Sequence, residues 1–254
     1  MIRSIFLGIM TFELLQNGTR LYLDRSAFPL STDAVLLADF VRPPRGAAVC
    51  DLCAGSGAVG LLLLDREPDL SVTALELQER ACALMERSRE ENRLAERFRV
   101  LQGDLRQIRT LLKAGSFTQV VCNPPYYPVA GGYVPRDEGQ AVARTERCCG
   151  PADYCGAAGW LLKTGGSFWL VHRPERLAEL CRALSVAGLE LKGLRPVCPG
   201  PERAPSLLLL RAVKGGKPGL AWDAPLILAN PDGTPTAEYR RIYRLPPRSP
   251  TPDP

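Results

Sequence analysis

Four consecutive residues, Asn123-Pro124-Pro125-Tyr126, carry the most specific chemistry in this chain. They follow an apolar run, Phe117 to Cys122, that reads as a buried strand of a parallel sheet. Ligands of open α/β sheets bind just beyond the carboxyl ends of the strands. There the Asn123 amide oxygen and the Pro124 carbonyl can accept hydrogen bonds from an NH2 group. The two prolines fix φ and donate no N–H, so the turn offers acceptors. Tyr126 supplies a ring able to stack on a planar π system. The pattern suits a flat substrate with an exocyclic nitrogen.

A second constellation lies upstream. Asp51-Leu52-Cys53-Ala54-Gly55-Ser56-Gly57-Ala58-Val59-Gly60 fits Gly-x-Gly-x-x-Gly between a strand and a helix. Dinucleotide enzymes share those glycines, so the acids around them discriminate. Asp51 ends the strand before the glycines, where a carboxylate can meet a cationic amine. The helix N-terminus at Gly57 favours an anion such as a carboxylate. Glu76, one strand later, can chelate a ribose diol. Asp104, after the next strand, can accept a bond from an adenine amine. Three acids at three successive strand ends suit a ligand built from an amino acid, a ribose and an adenine: S-adenosylmethionine.

The elements that must position these residues are legible as alternation. Residues 11–30 read as a hairpin around Asn17-Gly18. Ser31-Thr32-Asp33 caps a helix with apolar face Val35, Leu36, Leu37 and Phe40. Strands are expected over 47–52, 71–76, 97–102, 117–122, 167–172, 189–197 and 206–213, and helices over 57–66, 78–94, 105–113, 151–164 and 174–187. This predicts an α/β fold: a Rossmann-like seven-stranded sheet, mostly parallel, with helices on both faces. The short link from Pro199 to Pro205 cannot make a parallel crossover, so the last strand must run antiparallel. The domains expected are 1–44, a hairpin and helix leading into the core; 45–213, the S-adenosylmethionine-dependent domain; and 214–254, a Pro-rich extension of poorer pattern. The loop over 126–140 is long enough to be functional.

Composition sets bounds. With 254 residues, 46% apolar and 23% charged, the chain has an ordinary globular make-up. A net charge of +5 permits an anionic partner without requiring one. Nine cysteines, odd in number and scattered, suggest reduced thiols in a cytoplasmic protein. Cys50-x-x-Cys53 has no second pair, and Cys148, Cys149 and Cys155 lack a fourth ligand, so no metal is expected. The apolar run after Met1 is too short for a signal peptide, and Met10 serves equally well as an initiator. No stretch approaches the ~20 apolar residues of a membrane span.

The loop at 51–60, Glu76, Asp104 and Asn123–Tyr126 together resemble class I S-adenosylmethionine-dependent methyltransferases of the amino-methylating branch. The resemblance covers about residues 20–213. The runs Ser31–Ala38, Ala143-Arg144-Thr145-Glu146 and His172–Leu177, with Asp232-Gly233, Glu238 and Ile242-Tyr243, narrow it to bacterial tRNA (adenine-N6) methyltransferases, which act at position 37 of a valine tRNA. Thr145 departs from the family, where a histidine is expected. The resemblance implies a tRNA partner and S-adenosylmethionine held by Thr32, Asp51, Gly55, Gly57, Gly60, Glu76, Leu77, Asp104, Leu105 and Asn123. It assigns catalysis to Asn123, Pro124 and Tyr126, and substrate contacts to Pro125, Arg144, Arg173, Arg240 and Arg241. The basic and aromatic mixture Tyr239–Arg244 with Arg248 suits an RNA surface. His172, the one histidine, reads as a positioning residue. Protein glutamine N5-methylation and ribosomal RNA adenine N6-methylation stay open as alternatives. A DNA adenine methyltransferase lacks room for a recognition domain, a dinucleotide oxidoreductase shares only the glycines, and a non-catalytic binding protein would not need the complete turn.

Overall fold

The computed structural model describes residues 3–7, 10–24, 29–125 and 149–245. Strands β1 (Arg3–Leu7), β2 (Met10–Leu14) and β3 (Arg20–Leu23) form an antiparallel three-stranded sheet ahead of the core. The β2–β3 hairpin pairs Leu14 with Arg20 around the Asn17-Gly18 turn, with Gly18 at φ 97°. Its tip is anchored by Asp65, which accepts from the amides of Asn17 (2.9 Å) and Thr19 (3.3 Å). Helix α1 (Thr32–Phe40) follows, and its N-cap Ser31 accepts from the Ala34 amide at 3.2 Å.

From β4 onward strand and helix alternate: β4 (Ala48–Leu52), α2 (Ala58–Arg66), β5 (Ser71–Glu76), α3 (Glu79–Glu91), β6 (Phe98–Gln102), a 3-10 turn over Leu105–Gln107 leading into α4 (Ile108–Leu111), β7 (Phe117–Cys122), α5 (Pro151–Leu161), β8 (Leu162–His172), a second 3-10 turn, α6 (Leu177–Val186), β9 (Leu189–Cys198) and β10 (Leu207–Lys214). The sheet order is β9-β10-β8-β7-β4-β5-β6. Strand β10 lies antiparallel to both neighbours, inserted between β8 and β9. The expected seven strands are therefore present, with the last one reversed. Two two-residue strands, β11 (Ala221–Trp222) and β12 (Leu226–Ile227), add to the β9 edge, so the sheet counts nine.

Side-chain alternation divides the core into two layers. Val49, Val121, Trp169, Val171 and Leu209 pack with α1, α2 and α3; Cys50, Leu52, Val120, Cys122, Phe168, Leu170 and Leu210 pack with α4, α5 and α6. Several boundaries differ from expectation; the helices expected over 78–94 and 151–164 end at Glu91 and Leu161, and the one expected over 174–187 opens with a 3-10 turn. The helix expected over 105–113 breaks into a 3-10 turn and one helical turn, because Asp104 caps it immediately and Leu112 is extended. The strand expected from 167 begins at Leu162, with a register irregularity against β7. Part of the extension is also ordered. Helix α7 (Ala237–Tyr243) is capped by Thr236 and packs on α1.

Candidate functional site

The parallel strands bring the sequence motifs to one edge. Register pairs Leu52 with both Leu75 and Cys122, and Glu76 with Gln102. The ends of β4, β5, β6 and β7 therefore lie side by side, carrying the glycine loop, Glu76, Asp104 and Asn123-Pro124-Pro125 in that spatial neighbourhood. Tyr126, Arg144, Thr145, Cys148, Arg248 and the loop 126–140 lie outside the described residues.

The glycine loop is built around two buried carboxylates. Asp51 is 1% exposed, and its Oδ2 accepts from the Gly60 amide at 2.9 Å. Gly60 itself is tightly enclosed: a Cβ there would meet Val72 at 3.0 Å, Asp51 Oδ2 at 3.2 Å and Phe98 at 3.4 Å. The third glycine thus lets α2 approach the sheet and supports Asp51 through its amide. Gly57 has φ 77°, and a Cβ on it would lie 2.9 Å from Met85 Cγ, so the turn into α2 needs glycine both for conformation and for space. Gly55 is also left-handed, at φ 56°. Its amide donates to Glu76 Oε2 at 2.8 Å, while Glu76 Oε1 accepts from the Gln78 amide at 3.0 Å. Glu76 therefore ties the loop to the end of β5.

These acids differ electrostatically. Burial pushes the Asp51 carboxyl up to about 7, with the Gly60 amide opposing and the Glu76 charge adding to the rise. Burial also raises Glu76, against the pull of backbone donors at Gln78 and Gly55. Neither has an ion-pair partner among the described residues. Asp104 behaves oppositely. The Arg106 side chain binds it, with Nε 2.9 Å from Oδ2, and holds its carboxyl below the ordinary range. Its backbone role is to cap the 3-10 turn, accepting from the Arg106 amide at 2.9 Å. Leu77, just after β5, is exposed, whereas Leu105, just after Asp104, is buried.

The other expected residues scatter more. Thr32 shares a hydrogen bond with Tyr243 of α7, whose ring stacks on Tyr239 at 4.5 Å. Sequence spacing gave no sign of this link between the start of α1 and the distant tail. Arg241 makes two bonds to the Asp39 carboxylate, each 3.0 Å, and Arg244 donates to Asn17 Oδ1 at 3.0 Å. The tail arginines thus help dock α7 on the amino-terminal unit. Arg173 bonds Glu175 at 3.3 Å. His172 is fully buried at the end of β8, and its Nδ1 accepts from the Arg173 amide at 2.9 Å. Burial, helped by Arg176, pushes its pKa down to about 4, so the ring is neutral near pH 7. Among the described residues no helix is long and apolar enough to cross a membrane, and no cluster of three or more His, Cys, Asp or Glu is arranged for a metal.

This sheet order, with acids at successive strand ends and an Asn-Pro-Pro turn beyond β7, defines a class I methyltransferase. A family profile described as "Methyltransferase small domain" matches residues 30–134. A relative from Shewanella amazonensis, named tRNA1(Val) (adenine(37)-N6)-methyltransferase, is 31% identical over 188 residues, covering 74% of this chain and 78% of the relative. A protein of the same name from Shewanella sp. strain MR-4 is 28% identical, covering 64% of this chain and 68% of its own. Among solved structures, one described as a predicted O-methyltransferase from Agrobacterium tumefaciens superposes with a TM-score of 0.68 at 25% identity, over 84% of this chain and 96% of that one. TrmN from Thermus thermophilus shares the fold, with a TM-score of 0.52 at 22% identity over 71% of this chain and 48% of that one. The chain belongs to the methyltransferase family of the curated Shewanella relatives.

Proposed function

We propose that this protein transfers a methyl group from S-adenosylmethionine to the exocyclic N6 of adenine 37 in a valine tRNA, and that it works in the cytoplasm. The observation that carries the reading is the Asn123-Pro124-Pro125 turn at the end of β7, directly beside the β4 strand that leads into the glycine loop. Membership in a family whose curated relatives carry that activity in their names supports it.

The residues fit the cofactor. Asp51 and Glu76, two buried carboxylates without a cationic partner among the described residues, support this: they would accept from the amino group and the ribose diol. S-adenosylmethionine supplies an activated methyl on a sulfonium. The chain's own part is orientation. The Asn123 side-chain oxygen and the Pro124 carbonyl accept the two amine hydrogens and direct the nitrogen lone pair. They also favour the positive charge that develops on nitrogen. No strong base is needed before transfer, and none is assigned to His172, which burial keeps neutral near pH 7. An anticodon-loop base leaves its stack more readily than a base in a duplex. Pro125, Tyr126 and Arg144 complete the substrate side, and Leu77, Leu105 and Asp104 the adenine end of the cofactor.

Asp51 gives this reading a pH signature. Its pKa is higher in the folded protein than the ordinary 3.8, so the folded state binds the proton more tightly than the unfolded chain. Its contribution to stability is full below pH 3.8 and is lost as pH rises toward about 7. A cationic amine beside it reverses the preference. Cofactor affinity is therefore expected to rise as pH increases through about 7, with net proton release at mildly acid pH. Calorimetry in buffers of different ionisation enthalpy reads that release directly. A pH-independent affinity would remove Asp51 from the amine.

The tail offers a separate test of RNA binding. Replacing Arg240 and Arg241 by alanine is expected to flatten the slope of log affinity against log salt by roughly 0.7–0.9 per lost phosphate contact. An unchanged slope would confine Arg241 to its ion pair with Asp39. Labelled transfer into a tRNA1(Val) transcript, lost when adenine 37 is replaced by guanine, tests the proposal as a whole. Equal labelling of both transcripts would refute the position.

A further inference from the structure

Three thiols meet beside the site, and methyl transfer uses none of them. Cys53 Sγ lies 3.7 Å from Cys149 Sγ, and Cys53 also hydrogen-bonds Cys122. Cys53 and Cys149 are 96 residues apart, so only the fold brings them together. Each marks a strategic join. Cys53 follows β4 with a left-handed φ of 56° and leads into Ala54 and Gly55. Cys122 ends β7 immediately before Asn123. Cys149 precedes Gly150, the N-cap of α5. Cys122 and Cys149 are buried and Cys53 is half-buried.

We propose that Cys53 and Cys149 are an oxidation-sensitive dithiol that closes to a disulfide and thereby arrests the enzyme. The oxidant class is a hydroperoxide, with hydrogen peroxide the simplest. The Cys53 sulfur attacks one peroxide oxygen and the O–O bond breaks. The displaced oxygen leaves as water with the thiol proton, and Cys53 becomes a sulfenic acid. The Cys149 sulfur then attacks the Cys53 sulfur. The S–O bond breaks, and the departing hydroxide takes the Cys149 proton as a second water. Two thiols lose two electrons in total, and one peroxide becomes two waters.

Closure moves the cofactor loop. A disulfide needs about 2.05 Å between sulfurs, so the pair must approach by about 1.7 Å. That pull falls two residues from Gly55, whose amide holds Glu76 at 2.8 Å. The proposed cofactor site is therefore distorted when the bond forms. The Cys122 thiol and burial, opposed by the Cys149 hydrogen bond, hold Cys53 well above the ordinary thiol range, and burial lifts Cys122 to about 11. The pair therefore responds to a sustained peroxide load rather than to a trace of oxidant.

Arrest of activity rests on the transfer proposed above, but the disulfide is read independently of it. The full chain is treated with hydrogen peroxide, blocked with N-ethylmaleimide, digested without reduction and mapped by mass. The expected result is a peptide pair linking Cys53 to Cys149, with methyl transfer falling by about tenfold or more and recovering on reduction with dithiothreitol. Cys149→Ala should keep its basal transfer and resist peroxide, while Cys181→Ala, which removes an exposed thiol, should be inactivated like the parent protein. Should Cys149→Ala fail to fold, the map of the parent protein and a calorimetric titration of S-adenosylmethionine before and after oxidation decide instead. A link from Cys53 to Cys122, a sulfenic acid without a link, or cofactor affinity unchanged by the link would each overturn the proposal. Absence of methyl transfer to any RNA, with the Cys53–Cys149 link present and cofactor binding weakened by it, would sustain the dithiol and refute only the substrate.

Discussion

Asn123→Ala is expected to abolish most methyl transfer while leaving cofactor affinity almost unchanged. Although the resemblance also sets Asn123 beside the cofactor, its amide oxygen is proposed to bind the substrate amine, and that contact strengthens as charge develops on nitrogen, so its loss falls on the rate. Removing one transition-state hydrogen-bond partner costs about 3 kcal/mol, or roughly 100-fold or more in rate. Single-turnover kinetics with saturating S-adenosylmethionine isolates the chemical step from product release. A variant retaining more than about a tenth of the parent rate would place the orienting group elsewhere. The buried end of β7 makes the result interpretable. Val120, Val121 and Cys122 are fully buried, so the truncation lies just past a rigid strand rather than within it.

Glu76→Ala is expected to produce the second large effect, and to produce it on cofactor binding. The carboxylate is the proposed partner of the ribose hydroxyls, and it also holds the Gly55 amide at 2.8 Å. Hydrogen bonds to a charged group contribute about 1.5–3 kcal/mol, so affinity should weaken roughly 10- to 150-fold. Glu76→Gln separates the two roles. It keeps an oxygen for the Gly55 amide but loses the charge, and should fall between the parent and Glu76→Ala. Calorimetry with S-adenosylmethionine and its demethylated product measures all three proteins. Equal affinity in parent and Glu76→Ala would show that the ribose lies away from β5.

Much of this arrangement was legible in the chain because each core strand is a short apolar run closed by a chemically distinct residue. Ala48–Leu52, Ser71–Glu76, Phe98–Gln102 and Phe117–Cys122 were readable in this way, with Glu76 closing one strand and Asp51 standing next to the end of another. The reversal of β10 followed from a connection too short to cross the sheet. What could not be read depends on contacts between distant segments. Two-residue strands such as β11 and β12 are too short to show a period. Helix α7 is held by the Tyr239–Tyr243 stack, the Thr32–Tyr243 bond and the Arg241–Asp39 ion pair, none of which leaves a periodic signature. Its arginines show charge in the chain without showing the protein partners, Asp39 and Asn17, that two of them meet. The engagement of Asp104 by Arg106 was closer to hand, since a two-residue spacing between opposite charges was visible in the chain. The Cys53–Cys149 contact has no local sign; the Cys50-x-x-Cys53 spacing points to a pair that the fold divides, with Cys50 fully buried and Cys53 beyond the strand end.

The most direct test of the central claim is to map the modified nucleoside itself. Bulk tRNA from a strain lacking the enzyme is incubated with the purified protein and S-adenosylmethionine, then digested and sequenced by mass. The expected product is N6-methyladenosine at position 37 of the valine tRNA, absent when Asn123→Ala replaces the parent protein. Methylation of a release-factor glutamine or of a ribosomal RNA adenine, with the tRNA unmodified, would contradict the claim.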